Sequence, residues 1–416
     1  MRIGAIIFLL ILVFLLFLLD WYVFQGIKSL TSSAGSMLLR RSIHWSYWIV
    51  NAGLPIFISI VYLNMGRMNA WFTTAGSLFV TLLVSKAVFV AILAGGDLLR
   101  VAEGGFNWLT SNGGGEDFLP GRRKFVSQLA LGVAFVPFTS FLYGITKGKY
   151  NFKVHRHTLY FDNLPEAFNG FTITQISDIH AGSFDNPEAV RQGVEMINAQ
   201  QSDVFVFTGD LVNSVASEFD PWVEVFQKIQ APFGQFSILG NHDYGDYHHW
   251  PLEEAKAANL EALKQHHANT GFRLLLDEHV EIEKDGQKIV LAGVENWGVG
   301  FGKRGDLRKA LQNVPVDAFK ILLSHDPSHW DKEVKNFESP VHLTLSGHTH
   351  GMQMGVEFAG LRWSPSKYRY PKWAGVYEEA GKYINVNRGF GFLGFSGRVG
   401  IWPEITVLEL RKKEEA

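Results

Sequence analysis

Four stretches of this chain are apolar over about the 20 residues that a helix needs to cross a hydrocarbon layer. They cover residues 3–24, 45–65, 71–94 and 125–143, so roughly the first third of the 416 residues is committed to them. Runs of this length predict four transmembrane helices over residues 1–146. Arg2 gives the first run the charged start of a secretory signal, but the run is too long and no small-x-small cleavage site follows. It therefore reads as an anchor. Ala75, Gly76, Gly132 and Ala134 permit close helix contact within the bundle.

Two charges fall inside these spans, Asp20 in the first and Lys86 in the third. Odd-numbered spans run the same way, so both charges lie toward one face, and pairing or snorkelling of Lys86 is their expected role. Orientation is finely balanced. Lys28, Arg40, Arg41, Arg100, Arg122, Arg123 and Lys124 face one side, and Arg2, Arg67, Lys147, Lys149, Lys153 and Arg156 the other. Gly121-Arg122-Arg123-Lys124-Phe125-Val126 resembles an internal twin-arginine export signal, although the usual Ser or Thr ahead of the arginines is missing. It favours an integral protein of the bacterial cytoplasmic membrane whose later residues lie on the extracytoplasmic face.

Residues 147–154 read as a short basic linker, residues 155–411 as a soluble domain and residues 412–416 as a charged tail. A net charge of −2 provides no basic field, so no nucleic-acid partner is expected. The absence of cysteine excludes disulfides and thiolate metal sites.

In the soluble part short β-type runs alternate with helical spacing, the pattern of an α/β fold. Strands are expected at 157–161, 171–177, 204–208, 235–239, 288–293, 320–324 and 342–346, and helices at 186–198 and 252–266. Five of these strands run into a polar cluster. The clusters are Asp178-Ile179-His180, Gly209-Asp210, Gly240-Asn241-His242-Asp243, His325 and Gly347-His348-Thr349-His350. Ligands in open α/β sheets gather beyond the carboxyl ends of strands. Any one of these residues alone would be an ordinary turn or surface residue; the ordered series points to two metal ions. Asp, Asn and His without Cys favour Mn, Fe, Zn or Co.

The series resembles the signature of the calcineurin-like metallophosphoesterases, in particular a bacterial membrane-associated branch. The likeness spans residues 155–410 and includes Leu164-Pro165, Phe168, Gly170 and Ser177-Asp178 at its start and Pro403-Glu404-Ile405-Thr406 at its end. It implies a two-sheet αββα sandwich. It also implies one metal on Asp178, His180, Asp210 and His350, and a second on Asp210, Asn241, His325 and His348, with Asp210 bridging. His242 would contact the phosphate and protonate the leaving group, Asp243 would orient His242, and a metal-bridging hydroxide would be the nucleophile. Arg388 and Arg398 are expected either as phosphate contacts or in ordinary salt bridges. Asn213 stands where relatives often carry Asp, outside the ligand set. His248-His249, just after the third cluster, is within reach of substrate, although a solvated role is the simpler expectation. The aromatic and basic stretch 358–373 is expected either to meet a lipid headgroup or bilayer or to pack as a surface loop. The predicted function is a membrane-anchored phosphoesterase acting on phosphate esters or pyrophosphates, with the anchor suggesting a lipid or lipid-linked substrate. The alternative is a membrane sensor or transporter whose phosphoesterase-like domain binds ligand without turnover.

Overall fold

A computed structural model describes residues 3–65, 70–110, 120–358 and 360–413; Arg2 and Arg67 of the topology argument lie outside them. The chain divides into two compact units, Met1–Tyr143 and Gly144–Ala416.

The first unit is helical. α1 (Ile3–Thr31), α2 (Met37–Met65), α3 (Ala70–Leu109) and α4 (Pro120–Thr146) overrun the apolar runs at nearly every end. Stopping a helix at the hydrocarbon edge would strand its last carbonyls, so the hydrogen-bond ladder continues into polar sequence. Each helix is long and apolar enough to cross a membrane. A small core of Val23, Phe89, Leu93, Ala130 and Ala134 joins them, while Phe8, Leu15, Leu63 and Phe135 point outward, as a lipid-facing surface requires. Lys86 Nζ lies 2.6 Å from Asp20 Oδ1, and the Tyr47 hydroxyl donates to the same carboxylate oxygen at 3.0 Å. The two intramembrane charges thus satisfy one another across α1 and α3, with α2 supplying a third partner.

The second unit contains two six-stranded sheets. In chain order its strands are β1 (Lys153–Phe161), β2 (Phe171–Ile176), β3 (Val204–Phe207), β4 (Gln235–Ser237), β5 (Arg273–Leu274), β6 (Glu278–Lys284) and β7 (Gln287–Gly293). There follow β8 (Lys320–Leu323), β9 (Leu343–Ser346), β10 (Val356–Phe358), β11 (Leu361–Trp363), β12 (Gly375–Glu379), β13 (Lys382–Val386) and β14 (Glu404–Lys412). One sheet has the order β1-β14-β2-β3-β4-β5, the other β12-β13-β9-β8-β7-β6, and β10-β11 stand apart as a two-stranded hairpin.

Alternation along β3 explains the layering. Val204 and Val206 enter the core between the sheets, with Ile321, Leu323, Leu343 and Leu345 from the other side. Phe205 and Phe207 point the opposite way, onto Val190, Val194 and Ile197 of α5 (Pro187–Asn198). On the far face of the second sheet Leu322 and Ile384 meet Leu307 and Trp330 from short helices. The result is helix, sheet, sheet, helix: the sandwich that the resemblance implied. α5 starts as its sequence foretells, with Asn186 capping the amide of Ala189 and Pro187 in the first turn.

The stretch 147–154 is folded rather than a free connector. Lys149 Nζ and the Tyr150 hydroxyl both bind Asp185, at 2.5 and 2.9 Å, and β1 already begins at Lys153 against β14.

Candidate metal centre

The five clusters follow β2, β3, β4, β8 and β9, and the sheet registers bring those strand ends together. Asp178, His180, Asp210, His348 and His350 all have positive φ, between 46° and 70°. This left-handed backbone is unfavourable for any residue with a Cβ, and five cases in one site mean that the surrounding fold imposes it. Two glycines permit the close approach. A Cβ on Gly240 would lie 2.2 Å from Asp210 Oδ1, and one on Gly347 would lie 1.8 Å from Ser177 Oγ and 2.4 Å from Asp178 Oδ2.

The side chains converge in two overlapping groups, Asp178-His180-His350 and Asp210-His325-His348, each with ligand atoms within 4.8 Å of one another. His180 Nε2 faces His350 Nε2 at 3.0 Å, and His350 Nε2 is 3.2 Å from Asp178 Oδ1. Asp210 Oδ2 lies between the groups, 3.6 Å from His180 Nε2 and 3.1 Å from His325 Nε2. His348 Nδ1 is 3.3 Å from His325 Nε2. His325 Nδ1 donates to the Thr208 carbonyl at 2.7 Å, which leaves Nε2 to face Asp210. Asn241 contributes its amide oxygen, which is buried and has no partner among the described residues, while its Nδ2 donates to the Tyr247 hydroxyl at 2.9 Å.

These donors suit divalent cations. An enclosed acceptor without a partner is costly, and a cation is what would satisfy it. The electrostatics agree. Burial works against a charged imidazole at His325, yet the Asp210 carboxylate holds it up at about 10. Burial opposes ionisation of Asp210 too, but His325, His242 and His180 keep its carboxyl well below the usual range. Anionic oxygens packed this closely call for positive charge.

Two family models match the sequence. One, described as "Probable Calcineurin-like phosphoesterase, transmembrane domain", covers residues 1–149, and the other, "Calcineurin-like phosphoesterase", covers residues 171–352. The uncharacterized metallophosphoesterase YkuE of Bacillus subtilis is 31% identical over 258 residues, 61% of this chain and 84% of that protein. The chain belongs to the calcineurin-like metallophosphoesterases. An uncharacterized metallophosphoesterase of Helicobacter pylori is 25% identical over 410 residues, 96% of this chain and 97% of its own length, so this likeness includes the helical unit. A transmembrane protein with a metallophosphoesterase domain from Danio rerio is 29% identical over 287 residues, 65% of this chain and 60% of that protein. This protein is accordingly an integral membrane, metal-dependent phosphoesterase.

Around the phosphoesterase's ligand cluster several expected roles change hands. Asp243 does not orient His242: its carboxylate accepts from the backbone amides of Asp210, Leu211, Val212 and Gly240 at 2.9, 2.8, 3.3 and 2.8 Å. It staples two of the strand-end loops together. Burial and the Asp210 carboxylate push its carboxyl up, and the amides pull it back. His242 is held instead by the Asn213 carbonyl, 2.7 Å from Nδ1, and by its own amide, which donates to Asp210 Oδ1 at 2.8 Å. Its ring packs against Tyr247, with centroids 4.4 Å apart, and edge-on to His180.

Arg388 and Arg398, with phosphate contact as one expected role, are buried and engaged elsewhere. Arg388 pairs with Glu404 and with Glu357, the latter at 2.8 Å. Arg398 ties down the glycine-rich turn through the carbonyls of Arg388, Gly389 and Gly391. Arg398 Nη2 also lies 3.4 Å from His350 Nδ1, so this side chain backs one ligand histidine. His248 turns to Trp250 and is exposed, so Tyr247 is the residue of that loop that reaches the centre.

Three groups here were not in the expected set. The Asp326 carboxylate and the Tyr370 hydroxyl lie 3.5 and 2.9 Å from His348 Nε2, the ring nitrogen turned away from His325. The Asn213 carbonyl is the third. A carbonyl carries no sequence signal. Asp326 directly follows His325, where an acid able to orient a ligand histidine is a signal that could have been read.

Proposed function

We propose that this centre hydrolyses phosphate ester bonds with two divalent ions, one on Asp178, His180, Asp210 and His350 and the other on Asp210, Asn241, His325 and His348. The observation that carries the reading is the position of Asp210 Oδ2, close to a histidine nitrogen of each group. Two such ions, when bound, supply an activated water and offset charge on the phosphoryl oxygens. The chain's own contribution is positional. Asp326 and Tyr370 orient His348, Thr208 orients His325, and the Asp243 staple sets the spacing of Asp210 and Asn241. His242 acts as the proton donor. Its Nδ1–H is committed to the Asn213 carbonyl, so the doubly protonated ring presents Nε2–H, gives that proton to the leaving oxygen and is left neutral with Nδ1–H in place. Arg388 and Arg398 are left out of the substrate-contacting set because of their buried partners.

The substrate is proposed to be lipid-borne or lipid-linked, on the ground that the same chain carries four membrane-type helices. The host is proposed to be a bacterial cytoplasmic membrane, with the second unit on the extracytoplasmic face. The test is hydrolysis of a generic aryl phosphate by the purified full chain, stripped by chelation and then supplied with Mn. Asp210→Ala should lose both ions by metal analysis and all turnover. Wild-type turnover that survives chelation, or an Asp210→Ala variant that keeps two ions, overturns the assignment.

A further inference from the structure

In the second unit ten large apolar side chains are exposed among the described residues, and six of them fall in one short segment: Met352, Val356, Phe358, Leu361, Trp363 and Tyr368. The other four, Tyr160, Tyr247, Leu252 and Val316, are scattered. The segment is built on the β10-β11 hairpin, which joins neither main sheet and whose six strand residues are all exposed. An isolated two-stranded hairpin is marginally stable at best in water. Here Phe358, Leu361 and Tyr368 are 78%, 62% and 77% exposed. A contiguous apolar patch of this kind marks a contact surface.

The charges identify the partner. Glu357, the one acid of the hairpin strands, is paired with Arg388, whereas Arg362, Lys367 and Arg369 have no carboxylate partner among the described residues. Aromatic and aliphatic side chains flanked by unneutralised cations suit the boundary of an anionic lipid surface. The root of the hairpin is held within its own unit: the Gly355 amide donates to the Val399 carbonyl at 2.9 Å, and the neighbouring Arg398 amide donates to the Gly144 carbonyl at 3.2 Å. At its other end the segment runs into Tyr370, whose hydroxyl lies 2.9 Å from His348 Nε2.

We infer that the Met352–Tyr368 segment is a membrane-docking element that seats its apolar hairpin in an anionic bilayer surface and presents the metal centre to amphiphilic phosphate esters. The docking claim stands without any turnover. The substrate claim rests on the phosphoesterase reading above.

The chain has no cysteine, so single-cysteine variants take one label each. Phe358→Cys and Leu361→Cys, with Val316→Cys as an exposed control, are placed in the full chain, reconstituted into bilayers with and without anionic lipid, and coupled to a spin label. Docking predicts that labels at 358 and 361 become shielded from a water-soluble relaxing agent and accessible to oxygen when anionic lipid is present, while the label at 316 stays in water. Labels at 358 and 361 as wet as the control overturn the inference. So does shielding that is independent of lipid charge and accompanied by spin–spin coupling between copies, which would identify a second chain as the partner. In the activity arm, Phe358→Ser with Leu361→Ser should lose kcat/KM on a bilayer-presented phosphate ester and keep it on a soluble aryl phosphate. Equal loss on both substrates overturns the substrate claim and leaves the label results to judge docking.

Discussion

Replacing Asp243 by Asn separates a loop staple from a partner of His242. Oδ2 accepts the amides of Asp210 and Gly240, and Oδ1 those of Leu211 and Val212. Whichever way the new amide turns, its NH2 faces two backbone donors, and both lose their acceptor. The 3.3 Å contact to Val212 is the weakest, so the NH2 should settle on the Leu211–Val212 side. Two buried orphaned donors cost about 1–3 kcal/mol each, so the loss is roughly 2–6 kcal/mol. For a unit of this size each kcal/mol lowers the midpoint by about 2–4 °C. The assay is thermal unfolding of the chelated full chain in detergent, read by near-ultraviolet circular dichroism and paired with turnover of substrates whose leaving groups differ in basicity. The expected result is a lower midpoint and weaker metal retention, with the dependence on leaving group unchanged. An Asn variant that melts within about 1 °C of wild type but acquires a steeper dependence on leaving group would refute the staple and return Asp243 to His242.

His242→Ala should retain both metals and lose about 10²–10⁴ in turnover, most severely for basic leaving groups, as expected for removal of a proton donor; kinetics beside metal analysis check this. His267 is fully buried against Ser237 and Phe207, and burial pushes its imidazole down to about 3. The unfolded chain takes up this proton below about 6.5 and the folded chain does not until about 3, so stability is complete above 6.5 and falls across that window. The difference amounts to at most roughly 5 kcal/mol, and denaturant unfolding between pH 7 and 4 should show a slope that His267→Gln flattens. A reporter fused after Ala416 should be active only outside the cytoplasm; activity of a cytoplasmic reporter would reverse the proposed orientation.

Much of the site was legible because metal ligation uses few residue types at strand ends. The β2, β3, β8 and β9 runs are almost wholly buried and rich in Ile, Leu, Val and Phe, so the first Asp, Asn or His after each stands out. β14 was harder to read. It is Glu404–Lys412, inserted between β1 and β2, parallel to one and antiparallel to the other, and its polar start includes Glu404, buried only because Arg388 neutralises it. A strand that carries a buried charge looks like a loop until its partner is in place. β10 to β13 were obscured in the same way, since their residues are largely exposed or follow no alternation.

The sequence by itself determined the four apolar helices, the α/β alternation and the identity of the ligand-type residues, because each follows from local composition, period and order. Only the tertiary structure decided which neighbour each side chain meets. Asp243 is adjacent to His242 in the chain yet turns to amides of another loop, and Arg398 follows the glycine-rich turn yet is consumed in holding it. His348 gains Asp326 and Tyr370 from two distant segments. The physical reason is that hydrogen-bond partners are set by where strand ends converge, and convergence depends on the register of two sheets whose pairings link residues more than two hundred positions apart.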